Sequence, residues 1–130
     1  MSNTFDTLLG ELVTASRVLA NEGVVDGFGH VSARHPERAD RFFLSRVRAP
    51  ALVTRDDLLE FEFDGSPVIP TDKRVFAERV IHAAVYRLRS DVMAVCHHHA
   101  PSMLPFCVSG VALVPVFHHA RNLCFASFYG

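Results

Sequence analysis

Two histidines two residues apart, His97 and His99, close the apolar run Val92-Met93-Ala94-Val95-Cys96, which has the length of one β-strand. In extended backbone, successive side chains alternate between faces, so these imidazoles project to one side and His98 to the other. Neutral imidazole nitrogen suits a divalent ion such as Zn²⁺ or Mn²⁺, and strand ends are where ligands meet loops in α/β folds. A polar turn that merely ends a strand has the same pattern, and H-x-H alone does not separate the two. Glu78 lies 19 residues before His97, with Arg74 one helical turn before it and His82 one turn after. That line reads either as a solvated helix face or as a helix that packs beside the strand and aims Glu78 at a metal as general acid/base. Earlier in the chain, Gly29-His30-Val31-Ser32 and Ser45-Arg46 offer backbone N–H, imidazole, hydroxyl and guanidinium groups. A guanidinium makes paired hydrogen bonds with a carboxylate, so Arg46 or Arg48 suits a carboxylated substrate, the alternative being a surface arginine in a loop.

The elements that must position these residues follow from periodicity. Phe5, Leu8, Leu9, Leu12, Val13, Ala15, Val18 and Leu19 repeat with helical spacing, and Asn21-Glu22-Gly23 supplies the stop. His30 to Arg34 alternates as a strand with Val31 and Ala33 inward, and Phe42-Phe43-Leu44 is a short strand paired with it. Thr54 can cap a brief helical turn before Leu59 to Phe63 alternates as a strand, and Asp64-Gly65 turns the chain so that Pro67-Val68-Ile69 returns. Thr71 or Asp72 caps a second helix with Val75, Phe76, Val80, Ile81, Ala84, Val85 and Leu88 as its buried stripe. The run at 92–96 reads as a central strand, Pro101 begins a third helix through Leu104 and Phe106, and Val111 to Val114 reads as another strand. Mixed hairpins and helices argue for a layered α/β domain.

The chain has 130 residues, 49% of them apolar, which suits one domain with a real core. Thirteen basic against fourteen acidic side chains leave a formal net charge of -1, with no general attraction for nucleic acid or anionic membranes. Apart from Lys73 every basic residue is arginine, so anion recognition must be local. No apolar run approaches the roughly 20 residues of a membrane span, and Asp6 and Glu11 interrupt the N-terminus where a signal peptide needs its apolar stretch. Cys96, Cys107 and Cys124 form no C-x-x-C pair and fit reduced thiols, so the expected location is cytoplasmic. Five of the eight histidines (His97, His98, His99, His118, His119) fall within 23 residues.

Taken as a set, Gly29-His30-Val31-Ser32, Leu44-Ser45-Arg46, Glu78 with His82 and Tyr86, and Ala94 to Pro101 resemble the class II aldolase/adducin family in order and spacing, from about Leu8 to about His119. The resemblance implies a three-layer α/β/α sandwich with a mixed, largely antiparallel sheet, usually assembled as a homo-oligomer with active sites near subunit boundaries. It implies His97 and His99 as ligands of one divalent metal ion (Zn²⁺ or Mn²⁺), Glu78 as the acidic catalytic residue, and Gly29, His30, Ser45, Arg46 and His118 near the substrate. Phosphosugar aldolases of the family carry a Gly-Asn turn, a Ser-Gly turn and a serine pair before the acid. This chain reads Gly29-His30, Ser45-Arg46 and Phe76-Ala77 there, which removes a phosphate cradle. Phe28 to Arg34 with Leu44 to Pro50 looks more like the branch that decarboxylates hydroxylated aromatic or pyridine carboxylates.

The resemblance therefore implies a metal-dependent carbon–carbon lyase acting on a small carboxylate, with aldol cleavage of a hydroxy-aldehyde or sugar as the alternative. A non-catalytic, adducin-like module or an inert truncated fragment is the alternative of another class. The family's third metal-binding histidine lies further downstream than this chain extends, and His118 or His119 could substitute, although His118 more closely resembles a histidine kept near the site for other purposes. Residues 1–120 read as an incomplete domain of this family and 121–130 as an atypical tail, the pattern of a truncation.

Overall fold

The computed structural model describes residues 3–114 and 116–118; His119 and the tail at 121–130 lie outside the described residues. The described residues fall into two compact units that divide between His98 and His99.

The first unit opens with helix α1 (Asn3–Asn21). Its stop is where the sequence puts it: Gly23 takes a left-handed φ of 69°, the Val24 N–H returns to the Leu19 carbonyl at 2.9 Å and the Gly23 N–H to that of Ala20 at 3.1 Å. This double bond pattern satisfies the last carbonyls of the helix and needs the conformational freedom of glycine. Strands β1 (His30–Arg34), β2 (Arg41–Ser45), β3 (Leu58–Glu62) and β4 (Ala94–His97) form one sheet in the order β3-β2-β1-β4. All three pairings among the described residues are antiparallel, so the mixed sheet implied by the resemblance is antiparallel throughout this part.

Alternation along the strands builds three layers. On one face Ala33 and Phe43 pack against Leu9 and Leu12 of α1. On the other, Phe42, Leu44 and Phe61 pack against Phe76 and against Ala83 and Tyr86 of helix α2 (Arg79–Leu88). The reading of β1 is half right. Val31 and Ala33 do face α1, but His30, Ser32 and Arg34 on the opposite side are buried too, because α2 covers them.

Helix α2 starts later than its sequence pattern predicts. The Arg74 carbonyl accepts the Val47 N–H at 2.8 Å, so it is spent outside a helix, and Thr71 Oγ1 accepts the Lys73 N–H in a local turn rather than capping α2. The buried stripe is His82, Ala83 and Tyr86, while Val80 and Leu88 are exposed. The return at 67–69 amounts to a single bridge from Phe61 to Pro67, with the Val68 N–H on the Glu60 carbonyl. Strand β4 is an edge strand among the described residues rather than a central one; its side chains alternate between exposed and half-buried because only one face is covered. Two short 3-10 turns, Pro50–Leu52 and Arg55–Asp57, link β2 to β3, the second closed by the predicted Thr54 cap.

The second unit holds helix α3 (Leu104–Ser109), which Gly110 ends in a left-handed conformation. Residues Val111 to Val114 are not a strand: they are largely exposed and pair with no strand among the described residues. No helix of the described residues is long and apolar enough to cross a membrane.

Candidate active site

The sheet topology gathers predicted site positions at one end of the first unit. His30 opens β1 directly opposite His97, which closes β4. The register that pairs Ser32 with Leu44, continued by two residues, carries His30 level with Arg46, just past the end of β2. The turn entering β1 is tight. The Phe28 and Gly29 N–H groups both donate to Asp26 Oδ1, at 2.9 and 3.0 Å. A Cβ on Gly29 would stand 2.6 Å from Val25 Cβ and 3.1 Å from the His97 carbonyl oxygen, so only glycine lets this turn approach the end of β4.

His30 is buried among rings. Phe76 lies 4.2 Å from it between centroids, His82 4.8 Å and His97 4.9 Å, the last nearly parallel at 14°. Behind it runs a chain of side-chain hydrogen bonds. Tyr86 Oη lies 2.7 Å from Ser32 Oγ, Ser32 Oγ 2.6 Å from His82 Nδ1, and His82 Nε2 2.8 Å from His30 Nδ1. His82 and Ser32 are fully enclosed. Burial, joined by the imidazoles of His30 and His97, pushes the His82 pKa down from 6.5 to about 3, so it is neutral at physiological pH. Burial likewise pushes the Tyr86 phenol well above its ordinary value, against the hydrogen bonds it shares with Ser32 and the Val95 main chain and the nearby Arg34. Arg34 anchors the other end of this seam. Its guanidinium donates to the carbonyls of Val92, Ala39, Tyr86 and Arg89 and lies over the Phe63 and Tyr86 rings.

Just past the end of β2, Arg46 Nε donates to Asp57 Oδ1 at 2.6 Å and Arg48 Nε lies 3.1 Å from Asp57 Oδ2. Asp57 also accepts the Thr54 N–H and hydroxyl, both at 2.9 Å. Burial raises the Asp57 pKa, but the Thr54 amide, the Arg46 hydrogen bond and its charge outweigh this and hold it below its ordinary value. Asp57 thus stays ionised and orients two guanidiniums, of which Arg48 also donates from Nε to the Leu52 carbonyl at 2.8 Å. Ser45 is buried at the end of β2, paired with Leu58. Glu78 sits at the N-cap of α2, one turn before His82, and is exposed; its carboxylate makes no ion pair or hydrogen bond among the described residues.

His99 and His118 belong to the second unit, where both are exposed and the His118 ring lies 4.4 Å from that of Phe117. Among the described residues no group of three or more His, Cys, Asp or Glu side chains is arranged to hold a metal ion. The three neighbouring imidazoles of His30, His82 and His97 are not such a group, because His30 and His82 spend their facing nitrogens on each other.

The bonded set of Ser32, His82 and Tyr86 is what the sequence reading misses. A solvated helix face for His82 is excluded by its complete burial. The available signal is the meeting of two periods: His30, Ser32 and Arg34 put polar groups on one face of β1, and His82 and Tyr86 put polar groups one turn apart on α2.

The chain matches the family model described as Class II Aldolase and Adducin N-terminal domain over residues 10–127, and it belongs to that family. It is 41% identical over 108 residues to Decarboxylase tropJ of Talaromyces stipitatus, covering 82% of this chain and 41% of that protein. It is 30% identical over 115 residues to the 3,4-dihydroxyphthalate decarboxylase of Arthrobacter keyseri, covering 81% of this chain and 45% of that one. Among solved structures, the L-fuculose 1-phosphate aldolase of Glaciozyma antarctica superposes with a TM-score of 0.75 at 30% identity, covering 85% of this chain and 47% of the aldolase. The chain thus spans less than half the length of each of these relatives. The three-layer fold read from the sequence is the fold of these neighbours.

Proposed function

We propose that this chain carries the substrate-holding part of a metal-dependent carbon–carbon lyase that decarboxylates a small hydroxylated aromatic or heteroaromatic carboxylate. The observation that supports this most is that His30, flanked by the Phe76 ring, and the Asp57-oriented guanidinium of Arg46 belong to the same end of the sheet, at the start of β1 and just past the end of β2. An aromatic ring and a carboxylate fit that combination, whereas a phosphate has lost the small hydroxyl donors it needs. The decarboxylase relatives lend the same direction.

The imidazole donors of His97 and of His99 each suit a divalent cation, and either would need further ligands to hold it. Bound there, such a cation supplies Lewis-acid stabilisation of the charge that develops as the carbon–carbon bond breaks. In this scheme Arg46 clamps a carboxylate through its terminal nitrogens. His30 and Phe76 hold the aromatic part and exclude water from it. Glu78, open to solvent at the start of α2, relays a proton to the carbon that loses carbon dioxide. Assembly as a homo-oligomer belongs to the same proposal.

Aldol cleavage is the second reading, favoured by the likeness to the Glaciozyma antarctica aldolase. Incubating the metal-loaded chain with hydroxy-aromatic acids and, separately, with hydroxy-aldehyde sugars distinguishes them. Carbon dioxide from the acids supports decarboxylation; aldehyde from the sugars alone refutes it in favour of the aldolase.

A further inference from the structure

We propose that the cleft between α1 and the β2–β3 side of the sheet binds a small amine, with its ammonium group on Glu60 and its aromatic or branched apolar body against Phe5 and Phe43. The cleft lies within the first unit, on the face of the sheet away from α2. Helix α1 packs over β1 and β2 through Leu9 and Leu12 but leaves β3 partly uncovered, so that Leu58 and Glu60 on this face are only half-buried. The result is a cavity of about 200 Å³ lined by Phe5, Leu9, Phe43, Leu58, Glu60 and Ile69.

The walls set the size and shape of the ligand. An apolar cavity of roughly 150 Å³ takes up benzene, so this one admits a single ring or branched chain with a short arm. The Phe5 and Phe43 rings meet edge to face, 5.5 Å apart at 71°, and form a corner to which a third ring adds favourably. Ile69 is 75% exposed, an apolar surface that a ligand in the cleft would cover.

Glu60 sets the sign of the ligand. Arg41 Nη1 donates to its Oε1 at 3.2 Å, and among the described residues no hydrogen bond reaches its Oε2. That arginine is shared, because its Nη2 lies 3.8 Å from Glu62 Oε1, so two carboxylates stand against one guanidinium. His35, with Nε2 3.7 Å from Glu60 Oε1, accepts the Glu37 and Arg38 N–H groups at Nδ1; its ring is therefore neutral in this arrangement and adds no positive charge. One negative charge is left over at the polar end of an apolar cleft. An ammonium group both fills the open acceptor and cancels that charge, a hydroxyl does only the first, and a carboxylate does neither. None of this rests on the lyase reading.

The test is methyl carbon–proton correlation NMR of the labelled full chain at neutral pH, titrated separately with benzylamine, benzyl alcohol and benzoate. Benzylamine should shift the Leu9, Leu58 and Ile69 methyl signals saturably, in the millimolar range natural to so small a ligand, and leave Val95 of β4 in place. Benzyl alcohol should bind roughly five- to ten-fold more weakly, and benzoate should not bind. Glu60→Gln keeps the shape and a carbonyl oxygen for Arg41 but removes the charge, so it should bring benzylamine down to the level of benzyl alcohol. Equal affinity for benzylamine and benzyl alcohol, undiminished benzylamine binding by folded Glu60→Gln, or no shift of these methyl groups with benzylamine each overturns the proposal. If Glu60→Gln does not fold, the ranking of the three ligands on the parent chain decides, together with Ile69→Ser at an exposed position, which should weaken benzylamine binding.

Discussion

Replacing Gly29 by alanine puts one methyl group where the structure has no room for it. Carbon atoms in contact normally stand about 3.5–4.0 Å apart, and the new Cβ would lie 2.6 Å from Val25 Cβ and 2.8 Å from its Cγ1. The overlap is close to 1 Å, and the obstacles are poor at yielding, since a Cβ and the His97 carbonyl oxygen at 3.1 Å move only with their backbones. Gly29 is not among the glycines with positive φ, so alanine carries no conformational penalty there. Overpacking of this kind costs about 1–3 kcal/mol, and the reduced freedom of the unfolded chain returns about 0.4–1 kcal/mol. A net loss of roughly 1.3 kcal/mol should lower the urea midpoint by about 0.6 M at unchanged slope, read by far-ultraviolet circular dichroism. Adding Val25→Ala removes Cγ1 but leaves Cβ in place, so the double variant should recover only a small part of the loss through coupling. A Gly29→Ala chain as stable as its parent would refute the claim that this turn is held against β4.

Two further perturbations test the seam between β1 and α2. Arg34→Lys should cost about 3–5 kcal/mol in the same denaturation assay, because an ammonium cannot replace a planar fork that serves four carbonyls at once; a loss under about 1 kcal/mol, on the scale of a surface substitution, would show that the clamp is incidental. The depressed pKa of His82, about 3 against 6.5 in the unfolded chain, means that the unfolded state takes up the proton first. Stability is therefore full above pH 6.5 and falls as pH drops toward 3, by up to about 1.4 kcal/mol per pH unit. Urea midpoints across that range should slope less in His82→Gln, and equal slopes in the two chains would contradict the assignment.

What the sequence made legible follows from which signals are local. The stop of α1 lies in Gly23, the pairing of β1 with β2 in two short alternating runs, and the Thr54 cap in a spacing of three residues. Each is set by chemistry within a few positions. The start of α2 is not, because the Val47 N–H that the Arg74 carbonyl accepts comes from a distant part of the chain. The apolar run at 92–96 reads as central from its composition, yet an edge position depends on which strands lie beyond it. Of the residues proposed for the site, strand periodicity places His30, Arg46 and His97 at one end of the sheet, and the pairings agree with that placement alone. Their partners were not legible. Asp57 bonds Arg46, and His82 bonds His30, across contacts that no periodicity records.

The seam also ties the fold to the site. The face of β1 that meets α1 contributes the partly buried Val31 and buried Ala33, but the face that meets α2 contributes His30, Ser32 and Arg34, three polar side chains in a buried layer. Each would cost about 1–3 kcal/mol if left unsatisfied, and each finds its partner on α2 or at its C-terminal end. Sliding β1 by one residue would turn all three away and break every one of these bonds, so the network fixes the register of α2 over the strand. The same register delivers the His30 ring to His97 and sets it level with Arg46. Changes in the seam must therefore disturb stability and the placement of the His30 ring together. Glu78, whose exposed carboxylate bonds nothing among the described residues, lies outside that coupling, and under the proposed lyase reading its replacement by Gln should lower turnover while leaving the denaturation midpoint in place.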